Sequence, residues 1–600
     1  MIRVSDYFAQ TLKAMGAGPV FMLSGGGMMH LIDAVGEAGL PYICCHHEQA
    51  GAMEAEGVAR ATGRLGVCYA TSGPGATNVL TGLVGAWQDS SPVLFLTGQS
   101  KRSQTIRSAP VPGLRQFGTF EVDIVPIVES VTKFAHFLND PEDARFIFEK
   151  ALHLATTGRP GPVLIDVPLD VQGALIDPDK LRAYVPEIPS PPPPTREQLD
   201  RVAEKVATAQ RPVLLIGHGV RAAGAVPQLR QLIRKLGIPV VTTQLAKDAI
   251  AYADPLFVGH CGPKGDRPGN FALQCADLII SIGSSLHAQS IGYECELFAT
   301  KAFKIQVDVD YPVLKRGDVT VDLQIHSDVR GFIESMLELS LTSIAGGDWP
   351  QTCAGWKRRF AVSAEPHDIS TPELNYYEVS DSLSALLTGN EIIVTDAGSA
   401  FYVLGQAYQV KEDQRYIVSG AMGSMGYALP AAIGAAAACP DRRVICVTGD
   451  GSVQSNIHEL QVLRHHGFDL KLIVVDNDGY ISIRNTQNAF FQGNLVGCSR
   501  DSGVSMPPLE KLAYAYDLPF VWIDQRDDLR GSLEAALSTP GPMVIGIKGQ
   551  PVQSIIPTVS SRRLANGGLR SNPLHIMHPE LPEAVLRAEL GPYLGDSAIG

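Results

Sequence analysis

Strand-length apolar runs recur along the whole chain, and each closes on Gly, Ser, Asp or Asn before a segment with helical spacing. VCYAT, PVLFLTG, PVLLIG, LIISIG, FKIQVDVD, EIIVTDAG, RVICVTGDG and LKLIVVDN are the clearest. Short apolar runs ended by turn formers and alternating with helices are the signature of βαβ units, which bury a parallel sheet beneath helices on both faces. At 600 residues the chain is too long for a single core, so several such sheets are required.

The pattern divides itself. PEIPSPPPPT, residues 186–195, is a stiff proline-rich linker. A weaker break, AGGDWP at residues 345–350, follows the helical pattern GFIESMLELS. The expected architecture is therefore α/β, with three doubly wound parallel-sheet domains over residues 1–185, 196–345 and 371–549. A tail over 550–600 has little periodicity and reads either as an ordered cover over the active site or as a disordered end.

Charge and composition exclude several classes. The 49 basic and 62 acidic residues give a net charge of -13, which argues against a nucleic-acid footprint and against a polybasic membrane anchor. No stretch approaches the ~18 uninterrupted apolar residues of a membrane span. The start, MIRVSDYFAQTLKAMG, reads as an amphipathic helix and not as a secretion signal. Ten cysteines with no CxxC pair suggest neither zinc nor a disulfide framework, but reduced thiols in a cytoplasmic protein.

The chemistry concentrates at strand ends. RVICVT runs into Gly449, Asp450, Gly451 and Ser452, and LKLIVVD ends at Asn477, Asp478, Gly479 and Tyr480. In a parallel sheet both ends can share the carboxyl edge, where open α/β folds bind ligands. Asp450 offers a carboxylate, Asn477 an amide oxygen and Gly479 a backbone carbonyl, an oxygen set suited to magnesium with a diphosphate supplying the rest. In the first unit, PYICC ends at His46, His47, Glu48 and Gln49, and LGVCYAT leads into Ser72, Gly73, Pro74, Gly75, Ala76, Thr77 and Asn78. Taken alone, Glu48 is equally a carboxylate at a helix N-terminus, stabilised by the helix dipole.

Together these motifs resemble the thiamin-diphosphate-dependent acetolactate synthase family. The resemblance rests on GDGS followed by Asn477, on HHEQ with SGPGATN, on the segment Ser419 to Pro430 and on DAGSA from Asp396 to Ala400. It covers the chain in order as pyrimidine-binding, middle and diphosphate-binding domains. It implies thiamin diphosphate and Mg2+ as cofactors, with Asp450, Asn477 and Gly479 as metal ligands. Pro74, Asn78, Gly398, Ser399, Gly423, Met425, Gly449, Gly451, Ser452 and Tyr480 would touch the cofactor, Met425 beneath it and the Gly423 carbonyl on its amino group. Glu48 would hydrogen-bond a pyrimidine nitrogen and so activate the thiazolium carbon toward a 2-keto acid, with His47 or His46 orienting substrate or relaying a proton. It further implies a homo-oligomer, dimer or tetramer, with active sites at the subunit interface.

Departures from the family pattern bear on the substrates. In flavin-containing relatives an Arg commonly follows the glycine matching Gly283, where Ser284 stands here, which counts against FAD in the middle domain and leaves an empty domain as the alternative. Phe120 replaces a Gln, Asp476 replaces the first of two Asn, and a Trp expected after the metal loop is missing. The leading expectation is a carboligase that takes an acyl unit from a 2-keto acid donor, pyruvate, to a carbonyl acceptor such as a nucleotide-linked keto sugar, with Arg484, Arg562 and Arg563 gripping its diphosphate. Acetolactate synthase, a 2-keto acid decarboxylase or lyase, and a catalytically silent regulatory paralogue are the alternatives.

Overall fold

The structure is a computed structural model that describes residues 1–186, 191–340, 347–564 and 567–595. Part of the proline-rich linker and the first residues of the 345–350 break lie outside the described residues.

Three six-stranded sheets carry the fold, each wholly parallel. The first runs Tyr42–Cys44, Val20–Met22, Gly66–Ala70, Val93–Gln99, Val163–Pro168, Phe134–Phe137 in spatial order. The third runs Arg415–Val418, Ile392–Thr395, Val444–Gly449, Leu470–Asp476, Met543–Lys548, Phe520–Ile523. Numbered within each sheet, both have the order 2-1-3-4-6-5. The middle sheet runs Phe257–His260, Val240–Thr242, Pro212–Ile216, Leu278–Ile282, Phe303–Asp308, Leu323–His326, the dinucleotide-fold order 3-2-1-4-5-6. Helices cover both faces of every sheet, as the apolar runs require.

One hydrophobic core is shared between the first and third sheets. Helix Glu48–Thr62 crosses helix Ala428–Ala438 there, and both are buried along most of their length. Small residues permit the approach: a Cβ added at Gly57 would lie 2.2 Å from the Ala431 carbonyl oxygen, and one at Gly434 would lie 1.9 Å from that of Glu54. Helix Glu48–Thr62 also carries buried charge, met locally by Arg60 at 3.1 Å from Asp89 and by the Ser91 hydroxyl, which donates to Glu56 at 3.0 Å.

The tail joins the middle domain. Leu574, Leu586, Leu590 and Leu594 pack with Trp349, Trp356 and Phe271 against that domain's sheet. Val559 donates its backbone N–H to the Pro263 carbonyl at 2.8 Å, and Arg570 pairs with Glu296 at 2.5 Å. All ten cysteines are free, and among the described residues no helix is long and apolar enough to cross a membrane.

Candidate active site

Strands Val444–Gly449 and Leu470–Asp476 are direct neighbours, so their carboxyl ends stand side by side. Asp450 opens the short helix Asp450–Val453 and is buried. Its Oδ1 accepts the Gly451 N–H at 2.8 Å. Its Oδ2 accepts the N–H of Gly479 at 3.0 Å and that of Asn477 at 3.3 Å. One carboxylate thus ties the two loops together. Burial, with Asp476 nearby, raises its pKa to about 6 against three backbone hydrogen bonds that lower it. Asn477 is buried too, and its Oδ1 has no hydrogen-bond partner. Leaving such an acceptor dry costs about 1–3 kcal/mol, so it marks a place where a ligand belongs. With the Gly479 carbonyl these are hard oxygen donors, and they fit magnesium. Among the described residues no group of three or more His, Cys, Asp or Glu is placed to hold a metal, so a cation here depends on amide, carbonyl and ligand oxygens.

Glycine is forced at two of these positions. Gly479 has φ +121°, and a Cβ there would meet the Cys498 carbonyl at 2.4 Å. A Cβ at Gly451 would lie 2.4 Å from the ring of Tyr480. Asp476, the departure from the paired Asn, is neutralised by Lys548 at 2.5 Å.

Asp396 organises the neighbouring loops. This buried carboxylate accepts from Ser452 Oγ at 2.6 Å, Thr448 Oγ1 at 3.1 Å, the Ala397 N–H at 2.8 Å and the Ala428 N–H at 3.3 Å. Ser452 Oγ in turn accepts the Gly426 N–H at 2.9 Å. GDGS, the Gly398–Ser399 turn and the loop bearing Gly423 and Met425 are therefore set by one side chain. Met425 is 43% exposed, free to meet a ligand. A Cβ at Gly398 would come 3.6 Å from the Ser482 hydroxyl, which is also buried and unpartnered. Sequence reasoning named neither Asp396 nor Ser482 as a site residue. Asp396 was legible as the first residue of DAGSA, whereas nothing in ISIRN marks Ser482.

Glu48 begins its helix at the end of an edge strand and is 5% exposed. Asn78 Nδ2 donates to its Oε2 at 2.9 Å, and a Cβ at Gly75 would lie 3.2 Å from its Oε1. Pro74 begins the short helix Pro74–Asn78. His47 is half-buried and caps the Glu48 helix, its Nδ1 accepting the Gln49 N–H at 3.1 Å. The exposed His46 donates its backbone N–H to Glu459 Oε1 at 2.9 Å. Within one chain the HHEQ turn thus meets the third domain through Glu459, and through Gln49 on Asn456 at 3.3 Å. Phe120 is 69% exposed with φ +58°, and its carbonyl oxygen would stand 2.6 Å from a Cβ on Gly73. It overhangs the turn that faces Glu48.

The middle sheet has its own cleft, a cavity of about 720 Å3 at the strand ends marked by Gly217, Gly283 and Asp308. Its charged lining is Asp89, Asp308, Asp310 and Asp328 against Lys133 and Arg159, and Arg159 is paired with Asp310 at 2.8 Å.

Arg484 is placed otherwise than the sugar-nucleotide reading requires. It is buried, and its guanidinium is engaged by backbone carbonyls. Arg562 and Arg563 are exposed on the strand Ser561–Arg563, in the hairpin carried by the middle domain.

Residues 2–118 match the N-terminal TPP binding domain of thiamine pyrophosphate enzymes, 199–336 the central domain and 396–547 the C-terminal TPP binding domain. This defines the class, an enzyme of three thiamine pyrophosphate enzyme domains. The chain is 31% identical to the acetolactate synthase isozyme 2 large subunit of Escherichia coli, over 92% of this chain and 97% of that protein. It is 32% identical to the acetolactate synthase large subunit of Parasynechococcus marenigrum, over 96% and 91%. It is 31% identical to that of Lactococcus lactis, over 96% of each. The chain belongs to the acetolactate synthase-like family of thiamine-pyrophosphate-dependent carboligases.

Proposed function

We propose that this enzyme takes an acyl unit from pyruvate and joins it to a second small 2-keto acid, using thiamin diphosphate held through magnesium. The observation that carries the cofactor reading is the orphaned Asn477 Oδ1 in the loop gathered by Asp450. Asp450, Asn477 and the Gly479 carbonyl would hold the metal. Gly449, Gly451, Ser452, Gly398, Ser399, Ser482 and Tyr480 would line the diphosphate, and Gly423 and Met425 the rings. When bound, thiamin diphosphate supplies the electron sink for decarboxylation. Glu48 holds a proton at the pyrimidine nitrogen, and Asn78 fixes the carboxylate that does so. His47 spends Nδ1 on its helix cap, which leaves Nε2 for a substrate oxygen or proton. As the family resemblance implies, a homo-oligomer would face Glu48 of one chain toward Asp450 of another and so complete the site.

The middle cleft has the size and strand order of a nucleotide site. Of its four carboxylates Asp89 is paired with Arg60 and Asp310 with Arg159, which leaves Asp308 and Asp328 against Lys133, poor provision for the diphosphate of FAD.

Kinship over almost the full length favours a small 2-keto acid as acceptor, and the burial of Arg484 removes one anchor that a sugar nucleotide would need. The bulky-acceptor reading keeps one observation, the apolar Phe120 over the Glu48 turn. Mass spectrometry of products decides between them. Pyruvate alone should give acetolactate. Consumption of a nucleotide-linked 4-keto sugar without acetolactate would establish the second reading, and acetaldehyde alone would defeat both.

A further inference from the structure

Arg484 lies on helix Ile481–Phe490, directly after the metal loop, and folds back over the start of its own helix. Nη2 donates to the Asp478 carbonyl at 2.7 Å and, at 3.5 Å, to that of Cys498. Nη1 donates to the Pro551 carbonyl at 2.6 Å. We infer that Arg484 is the positioning residue of the metal loop, fixing the peptides on either side of Gly479 so that its carbonyl and the Asn477 amide present one oxygen set. This rests on the proposed magnesium–diphosphate site.

The geometry on both sides of Gly479 supports it. In the Asp478–Gly479 peptide the oxygen is held by Arg484 and the N–H by Asp450 Oδ2 at 3.0 Å. In the Gly479–Tyr480 peptide the N–H is held at 2.9 Å by the Cys498 carbonyl, the same oxygen that Arg484 reaches. Asp478 has φ +58° and Gly479 φ +121°, conformations from which the peptide between them turns over easily unless both ends are tied. A planar fork with donors on separate nitrogens spans Asp478 and Pro551 together, whereas a lysine concentrates its donors on a single atom. The guanidinium thus acts on the ligating carbonyl indirectly, through the preceding peptide and the Cys498 carbonyl, while the Gly479 carbonyl itself accepts the Ile481 N–H at 3.1 Å and keeps its second lone pair for a ligand.

The test uses the full chain with Arg484→Lys and Arg484→Met. Calorimetry measures Mg2+ affinity at saturating thiamin diphosphate, and turnover is followed against Mg2+ concentration. In both variants Mg2+ affinity should fall about 10- to 100-fold, the usual effect of losing an outer-shell partner. Turnover in Arg484→Lys should recover toward the wild-type kcat at high Mg2+. Mg2+ affinity within twofold of wild type in a folded Arg484→Lys variant overturns the assignment. So does loss of far-ultraviolet dichroism in that variant without metal, which would mean a purely structural role. A wild-type chain that takes up neither Mg2+ nor thiamin diphosphate overturns the functional reading, and this inference with it.

Discussion

Gly434→Ala should damage both stability and activity, although alanine is the better helix former. Gly434 sits inside helix Ala428–Ala438, where the exchange by itself is worth about 1 kcal/mol in favour of Ala. The new Cβ would lie 1.9 Å from the Glu54 carbonyl oxygen, and side-chain carbons essentially never come within 3.0 Å of such an atom. The helices must part by about 1 Å. The obstacle is backbone of a second buried helix, so no flexible side chain can give way. A gap of roughly 0.5–1 Å forfeits a quarter to a half of each facing dispersion contact, and overpacking of this kind costs about 1–3 kcal/mol, occasionally more. The clash outweighs the propensity gain, and a net loss of about 1 kcal/mol, up to about 2, is expected. Glu48, the proposed proton-holding carboxylate, begins the displaced helix, and a shift of about 1 Å in a group of that role can cost on the order of 10²-fold in rate. Urea unfolding midpoints and turnover are the readouts. Gly331→Ala is the control, a helical glycine whose added Cβ meets nothing within 4 Å, and it should be neutral or stabilising by up to about 1 kcal/mol. If Gly434→Ala unfolds no earlier than wild type, the reasoning about this interface is wrong.

Glu48→Gln should keep the fold, since glutamine can keep a hydrogen bond with Asn78, but lose about 10²–10⁴-fold in turnover, because the proton is no longer held at the cofactor nitrogen. Exchange of the cofactor's C2 proton at the wild-type rate, followed by NMR, would refute this role. Asp166 is wholly buried on strand Val163–Pro168, bonded by Thr97 Oγ1 at 2.7 Å and Gln99 Nε2 at 3.0 Å, and burial pushes its pKa up to about 7. The folded chain then keeps a proton that the unfolded chain releases near pH 4, so this contribution to stability is full below that value and fades as the pH rises to about 7. Relative to Asp166→Asn, wild type should lose stability across that window and run parallel above it. Urea midpoints that stay parallel from pH 4 to 8 would contradict the assignment.

The three sheets were legible because a strand buried on both faces must be apolar throughout and must end on a turn former. LKLIVVDN and RVICVTGDG therefore state both where a strand lies and at which edge the candidate site residues gather. Asp450 and Asn477 come together because adjacent parallel strands bring their ends side by side, as the ladder from Val444 to Gly449 does. Position in the chain carried less where a role depends on distant backbone. The tail shows little periodicity up to Leu574, which packs singly, but its last helix, Glu583–Leu594, places Leu586, Leu590 and Leu594 four residues apart on one buried face against Trp349, Trp356 and Phe271, a short helical pattern that the sequence carries and the reading of the tail as aperiodic passed over. Ser482 reads as one more polar residue early in a helix, and only Gly398, far away in sequence, gives it meaning.

Arg484 illustrates the same limit from the other side. Its residue type suggested an anion, since a guanidinium on a helix after a phosphate loop offers a fork to phosphate oxygens. The alternative use of that fork is to collect backbone carbonyls, and composition cannot separate the two because both need the same donors. What separates them is the supply of unsatisfied acceptors nearby. A left-handed turn at Asp478 and Gly479 leaves carbonyls that no regular ladder can satisfy, and the Cys498 and Pro551 carbonyls converge on the same point. Both Nη atoms of this buried guanidinium are taken up by the protein's own carbonyls, while its Nε is buried without a partner. On the proposed function, an anion bound here would be met chiefly by the glycine-rich strand ends, beside which the orphaned Asn477 and Ser482 oxygens lie.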